Sequence, residues 1–172
     1  VELQMKQQAL VELEKLQLDQ QHLPATLVMF DEHWHQGVIG IVAGRLKEQF
    51  HRPSIVFAAD DDGIHIKGSA RSIDGVHIRD AIEMIAEQHP HLVSHFGGHA
   101  AAAGLTLQKV HFEQFKQAFE QLISTMDESL FHATVWTDGE LATENFQLET
   151  VQLLQNLTPW GQNFPSPIFE GV

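Results

Sequence analysis

The stretch HFGGHAAAAGLTL, residues 95–107, places two adjacent glycines next to a histidine and follows them with small side chains. Gly97 and Gly98 can adopt backbone angles closed to other residues, and they let main-chain N–H groups approach a ligand closely. His99 adds a donor that can become cationic near neutral pH. This combination predicts a site for an anion such as a phosphate. The competing interpretation is a tight turn before a strand, with His99 in a structural role.

A second candidate group lies in KGSARS, residues 67–72, where a predicted strand ends. Ser69 and Arg71 alternate to the same side of that strand. Arginine offers a planar fork that matches phosphate oxygens, and a hydroxyl adds a short hydrogen bond. The alternative is an ordinary polar strand end in which Arg71 pairs with Asp74.

A third candidate group lies in WHQGVIG, residues 34–40. His35 would stand at the N-terminus of the following helix, where unsatisfied N–H groups and the helix dipole favour an anion. The alternative is simple helix capping, with Trp34 packed on the core.

The 12 histidines invite comparison with metal sites. His91, His95 and His99 have helical spacing, but the two glycines interrupt any helix there, and no carboxylate lies between His89 and His99. The chain has no cysteine, so a thiolate site or a cysteine nucleophile is excluded. The turn DDDG at 60–63 lacks the calcium-loop pattern. No serine-hydrolase elbow or phosphate-loop motif occurs, and we expect no metal site within this chain.

Strands and helices alternate along the chain, and they must position these residues. Strands are predicted for ATLVMF, RPSIVFAA, IHIKGSA and AAAGLTL, and a strand with a turn for FHATVWTDGEL. Helices are predicted for GVIGIVAGRLKEQF, DGVHIRDAIEMIAEQHP, HFEQFKQAFEQLIST and NFQLETVQLLQNL. The alternation predicts an α/β fold, a mixed β-sheet flanked by helices.

The net charge of −13 is unevenly distributed, since residues 111–172 carry one basic and nine acidic side chains. This balance argues against broad nonspecific nucleic-acid binding through a basic face, so any phosphate contact must come from a few placed groups. No apolar run approaches the length of a membrane span, and no signal-peptide pattern occurs. We therefore expect a cytoplasmic protein with no membrane contact.

Four stretches occur in the order, and at about the spacing, found in the RecJ-type exonucleases of the DHH phosphoesterase superfamily. They are WHQGVIGIVAGRLKEQFHRPSIVFA, KGSARS, HFGGHAAAAGLTL and LTPWGQNFPSPIF, and the resemblance covers nearly the whole chain. Gly-Gly-His followed by small residues is typical of the DHH-associated domain, and the resemblance implies that Gly97, Gly98 and His99 form a loop. The last stretch resembles the entry to an oligonucleotide-binding (OB) fold. That entry usually reads Pro-Phe-Gly and Asn-Pro-Glu-Pro, whereas here Trp160 replaces the Phe and Phe164 precedes Pro165.

The resemblance implies three segments: an interdomain connector helix at 1–22, a DHH-associated substrate-binding domain at 23–126, and the truncated beginning of an OB-fold segment at 127–172. It also implies a part in a 5′→3′ single-stranded-DNA exonuclease of DNA repair and recombination. Because no Asp-His-His motif occurs, the catalytic domain with its Mn²⁺ or Mg²⁺ is expected outside this chain. The chain alone is expected to be inactive.

The resemblance further assigns roles and partners. His99 would donate to a phosphoryl oxygen as the one catalytic residue of this chain, and Arg71 with Ser69 would hold the 5′-terminal phosphate. The implied phosphate-binding residues are Ser69, Arg71, Gly97, Gly98, His99, His35 and Arg45. The implied partners are single-stranded DNA and the enzyme's own N-terminal catalytic domain, with a single-strand-binding protein or a helicase as further candidates.

Three other functions stay open at this point. A DHH-family phosphodiesterase for short RNA or cyclic dinucleotides would share the Gly-Gly-His motif but should lack the OB-like tail. A nucleic-acid-binding module of the kind attached to alanyl-tRNA synthetases would lack the WHQGVIGIVAGRLK stretch. A non-catalytic protein-interaction module would use the acidic C-terminal third to dock a partner.

Overall fold

The structure of the protein is a computed structural model that describes residues 23–157, 159–161 and 164–171. The described residues divide into two compact units, one on each side of the bond between Ala133 and Thr134. The predicted connector helix at 1–22 lies outside the described residues. The segment boundary predicted at 126/127 stays a prediction.

The first unit is built on one five-stranded sheet with the order β1-β2-β3-β5-β4. The strands are β1 (Leu27–Asp31), β2 (Ser54–Ala59), β3 (His65–Arg71), β4 (His95–His99) and β5 (Ala102–Gln108). β1 and β2 are parallel, and every other neighbouring pair is antiparallel. The sheet and its helices confirm the predicted α/β architecture with a mixed sheet.

Helix α1 (Gln36–Phe50) connects the two parallel strands and covers one face of the sheet. Its apolar side chains recur at helical spacing and meet those of β1 and β2. The fully or nearly buried members are Val38, Ile39, Val42, Ala43 and Leu46. The buried residues of this core belong to α1, β1 and β2, and Gly40 of α1 lies in addition against Ser69 and Arg71 of β3.

Helices α2 (Ile78–Gln88) and α3 (Phe112–Ser124) pack on the opposite face of the sheet. In α3 the residues Phe115, Phe119 and Ile123 recur every fourth position and are fully buried. These three residues form the buried side of the helix predicted for HFEQFKQAFEQLIST, so that helix is confirmed. The larger core of the molecule lies between these helices and β2, β3 and β5.

Two sequence-based predictions differ from the structure. The Gly97-Gly98-His99 segment was expected in a loop, but it belongs to the edge strand β4 and pairs with β5. The strand expected in FHATVWTDGEL does not form: residues 132–139 have no regular secondary structure, and Glu140 makes only an isolated bridge to Glu170.

In the second unit, α4 (Leu148–Asn156) confirms the last predicted helix. Its apolar residues Leu148, Val151 and Leu153 are largely exposed among the described residues. None of the helices in the described part of the chain is both long and apolar enough to cross a membrane.

Candidate nucleic-acid interface

Because side chains alternate between the two faces of a pleated sheet, the candidate residues Ser69 and Arg71 of β3 lie on the same face. Buried residues alternate with exposed or half-buried ones along β3 and β5, and the buried set faces α2 and α3. Ser69 and Arg71 belong to the other set and therefore point away from that core. We call this surface of β3, β5 and β4 the open face.

The strand register places Arg71 and His99 in one row across the open face. Arg71 pairs with Ala102 of β5, and Ala102 pairs with His99 of β4. Directly opposite residues of neighbouring strands project to the same side of a sheet. Two strand spacings of roughly 4.8 Å separate the outer members by about 10 Å. We call Arg71, Ala102 and His99 the Arg71 row.

A row of small residues runs beside it. Ser69 pairs with Gly104, and Gly104 pairs with Gly97. A Cβ atom at Gly97 would meet no described atom within 4 Å, and one at Gly104 would meet only the Gly68 carbonyl oxygen, at 3.9 Å. Ser69, Gly104 and Gly97, which we call the glycine row, thus leave a flat floor of main chain on which a ligand can lie closely.

Gly98 has a structural role that Gly97 does not have. Its φ is +149°, which residues with a side chain rarely adopt. A Cβ atom there would lie 2.3 Å from the Ala102 carbonyl oxygen and 2.5 Å from the Ala103 Cα. Only glycine fits this close pairing of β4 on β5. The two glycines of the motif therefore differ: Gly97 opens the surface, and Gly98 permits the strand pairing.

Arg71 is held in place by its own strand and by α1. Its Nη1 atom donates to the Ser69 hydroxyl at 3.1 Å and to the Ala70 carbonyl at 2.9 Å. A Cβ atom at Gly40 of α1 would lie 3.2 Å from both the Arg71 guanidinium and the Ser69 hydroxyl. Among the described contacts of Arg71 none is with Asp74, so the alternative pairing is not observed.

His99 has its two ring nitrogens in distinct roles. Nδ1 accepts a hydrogen bond from the Ala101 N–H at 3.3 Å. In the neutral ring an accepting Nδ1 puts the proton on Nε2, which makes Nε2 a donor. The side chain is exposed at the sheet edge. It can therefore donate to an anion on the open face.

The structure does not bring His35 and Arg45 to the Arg71 row. His35 caps α1, since its Nδ1 accepts from the Gly37 N–H at 3.0 Å. The next residue, Gln36, donates to Asp60, which also binds Lys67 four residues away from Arg71. His35 thus stands near the far end of β3.

Arg45 lies on the exposed side of α1. It follows Gly40 by five positions, which corresponds to about 140° around the helix axis. Its guanidinium pairs with Glu48 at 3.0 Å, and both side chains are more than half exposed. The capping interpretation of the WHQG motif is the one observed, with Trp34 packed against the α1 core.

Lys67 is a residue of the open face that the sequence-based reasoning missed. It alternates with Ser69 and Arg71 in the same strand, which is the signal that could have revealed it. Its ammonium donates to Asp60 at 2.9 Å, and Gln36 donates to the same carboxylate oxygen at 3.1 Å. These hydrogen bonds, that of Lys67 first, lower the pKa of the Asp60 carboxyl below its usual range.

The described residues form no metal-binding cluster of side chains. No group of three or more His, Asp or Glu side chains among them could hold a metal ion. The open face offers cationic and hydroxyl donors, which suit phosphate oxygens rather than metals.

Residues 23–125 match the family described as the DHHA1 domain, and the chain belongs to that family. It is 46% identical over 172 residues to the single-stranded-DNA-specific exonuclease RecJ of Escherichia coli and 32% identical over 152 residues to RecJ of Bacillus subtilis. These matches cover 99% and 87% of this chain, and 30% and 19% of the relatives. The predicted resemblance to RecJ-type exonucleases is confirmed.

Solved structures of RecJ proteins are also similar to this chain. The structure of Thermus thermophilus RecJ in complex with Mn²⁺ matches 97% of this chain with a TM-score of 0.79 and 26% identity, over 24% of its own length. Another exonuclease RecJ bound to manganese matches 77% of this chain, and 32% of its own, with a TM-score of 0.60 and 28% identity. The chain spans about 30% of the length of the curated RecJ relatives it matches most extensively.

Proposed function

We propose that this chain is the substrate-binding part of a RecJ-type 5′→3′ single-stranded-DNA exonuclease, active in the cytoplasm. In this proposal the open face holds phosphates of the strand opposite a catalytic domain that lies outside the chain. That domain would carry Mn²⁺ or Mg²⁺, and the metal would supply the activation of water. The RecJ relatives and the structures solved with these ions support the class of reaction.

The observation that carries the proposal is the Arg71 row. Two donors of different chemistry, separated by about two strand spacings, project to the same side of the sheet over main chain left bare by glycine. Arg71 presents a fork for two phosphate oxygens, with Ser69 beside it. His99 presents Nε2–H toward a phosphoryl oxygen. The pair can hold two points of one strand.

Each residue then has a defined part in the reaction. Arg71 and Ser69 bind the 5′-terminal phosphate and fix the end of the strand. His99 stabilises charge on the phosphoryl group under attack by hydrogen bonding. The main chain at Gly97 excludes side-chain bulk, so that the sugar-phosphate backbone can lie against β4.

The test measures binding of this chain to 5′-phosphorylated and 5′-hydroxyl oligo(dT) by fluorescence anisotropy. Arg71→Ala should weaken binding of the phosphorylated strand by roughly 30-fold, since a forked, charge-assisted contact contributes about 2 kcal/mol. Binding of the hydroxyl strand should change little. Lys116→Ala on the opposite side of the sheet removes the same charge and should bind like the unmodified chain.

Equal loss for both strands in Arg71→Ala would contradict the assignment of the 5′ phosphate. A preference for short RNA or cyclic dinucleotides over oligo(dT) would favour the phosphodiesterase alternative instead. In a full-length protein that joins this chain to the catalytic domain, His99→Ala should lower turnover while Mn²⁺ affinity stays unchanged. A parallel loss of Mn²⁺ affinity would assign His99 to the metal site.

A further inference from the structure

A second polar row crosses the open face on the far side of the glycine row. Lys67 pairs with Thr106, and Thr106 pairs with His95. We call these three residues the Lys67 row. Their side chains project to the same side as those of Arg71 and His99, because both rows are an even number of residues from the glycine row.

The Lys67 row borders a shallow cavity of about 290 Å³ whose floor includes Gly104. The side chain of Lys67 is 46% exposed, and His95 is exposed at the sheet edge. The cavity therefore has a cationic group at one end, a hydroxyl in the middle and an imidazole at the other. Like the Arg71 row, it has a cationic group at one end and an imidazole at the other, and Thr106 adds a hydroxyl where the Arg71 row has Ala102.

Lys67 is held in position with donors to spare. Its ammonium has three N–H donors, and Asp60 takes one of them at 2.9 Å. Asp60 is itself fixed by Gln36 at the start of α1. Because the carboxylate offsets part of the ammonium charge, the contribution of Lys67 to anion binding is smaller than that of Arg71.

We propose that the Lys67 row is a second phosphate subsite, which binds a phosphodiester of the same single strand at a distance from its 5′ end. The inference rests on the proposed function and extends it. Lys67 and Arg71 are four residue steps apart along β3, or about 13 Å at roughly 3.3 Å per residue. That distance spans at most about four stacked nucleotides at roughly 3.4 Å each, and fewer in an extended strand.

The spacing gives the subsite a length dependence that tests it. Lys67→Ala should weaken binding of a 5′-phosphorylated dT octamer by roughly threefold to tenfold. Binding of a 5′-phosphorylated dT dinucleotide should not change, because one nucleotide step does not reach both rows. The slope of log K against log salt for the octamer should become shallower by about 0.7, the value for one phosphate contact on a single strand.

Matched variants separate this role from a general effect of charge or folding. Lys67→Arg should keep the salt slope, and Lys116→Ala should keep both the slope and the affinity. Melting curves identify any variant that folds poorly. If Lys67→Ala is such a variant, Thr106→Val tests the same row without a change of charge, and it should lose less octamer affinity than Lys67→Ala. An unchanged salt slope in Lys67→Ala, or an equal loss for octamer and dinucleotide, overturns the subsite.

The binding results for Arg71→Ala and Lys67→Ala distinguish a wrong second subsite from a wrong proposed function. If Arg71→Ala loses 5′-phosphate binding and Lys67→Ala leaves the octamer unaffected, only the second subsite is wrong. If neither variant alters binding of any single strand, the open face is not the substrate surface and both proposals fall.

Discussion

Replacement by alanine should destabilise the protein at Gly98 but not at Gly97, although the two glycines are adjacent in the Gly-Gly-His motif. In Gly98→Ala the new methyl carbon would lie 2.3 Å from the Ala102 carbonyl oxygen, and the φ of +149° would be retained by a residue that rarely adopts it. The backbone strain costs about 1–3 kcal/mol, and forced displacement of packed atoms costs about 1–3 kcal/mol more. Reduced unfolded-state entropy returns less than about 1 kcal/mol.

Gly98→Ala should therefore lower the free energy of unfolding by about 2–5 kcal/mol. At roughly 2–4 °C per kcal/mol for a chain of this size, the melting temperature should fall by about 5–15 °C. Gly97→Ala is the matched control, since its methyl group meets no described atom within 4 Å. It should melt within about 3 °C of the unmodified chain.

The assay is urea and thermal unfolding followed by circular dichroism, with oligo(dT) binding measured on the same samples. Gly97→Ala should weaken binding without a loss of stability, because the methyl group occupies the floor of the open face. A Gly98→Ala variant as stable as the unmodified chain would refute the backbone argument. Equal destabilisation by both substitutions would refute the distinction between the two glycines.

Two further predictions concern stability away from the open face. Glu120 of α3 accepts hydrogen bonds from the N–H groups of Ala25 and Thr26 and from the Thr26 hydroxyl; Glu120→Ala should cost about 2–4 kcal/mol in urea unfolding, and a loss below about 0.5 kcal/mol would contradict this role. Backbone and ring N–H groups of His65 lower the pKa of Asp62 to about 2, so the stability this carboxylate contributes is present above its ordinary pKa near 3.8 and is lost as the pH falls toward 2. Asp62→Asn should make the free energy of unfolding less dependent on pH between 4 and 2, and an identical pH profile in the variant would show that the carboxylate adds nothing.

The sequence was sufficient for the elements whose pattern is local. The apolar spacing of α1 and the alternation along β3 were predicted, and the alternation also placed Ser69 and Arg71 on one side of their strand. What could not be predicted is that His99 would lie in the same row as Arg71. That proximity follows from the order β3-β5-β4, which depends on pairing between distant segments.

The two wrong predictions have physical reasons. Glycine is a poor strand former, so a segment with two of them was expected to form a loop; pairing with β5 outweighs that preference. The opposite error occurred at Val135 and Trp136, whose side chains favour strands. Both are strongly exposed, and residues 132–139 adopt no regular secondary structure.

The reversal between β4 and β5 is anchored to two distant backbone groups. The Ala100 carbonyl accepts from the N–H of Ile78, and the Ala101 carbonyl accepts from the N–H of Ser72, both at 3.0 Å. Motion of the His99 end of β4 must therefore stretch these two bonds. The amide protons of Ser72 and Ile78 consequently act as built-in reporters, whose exchange with deuterium slows when a ligand immobilises that end of the sheet.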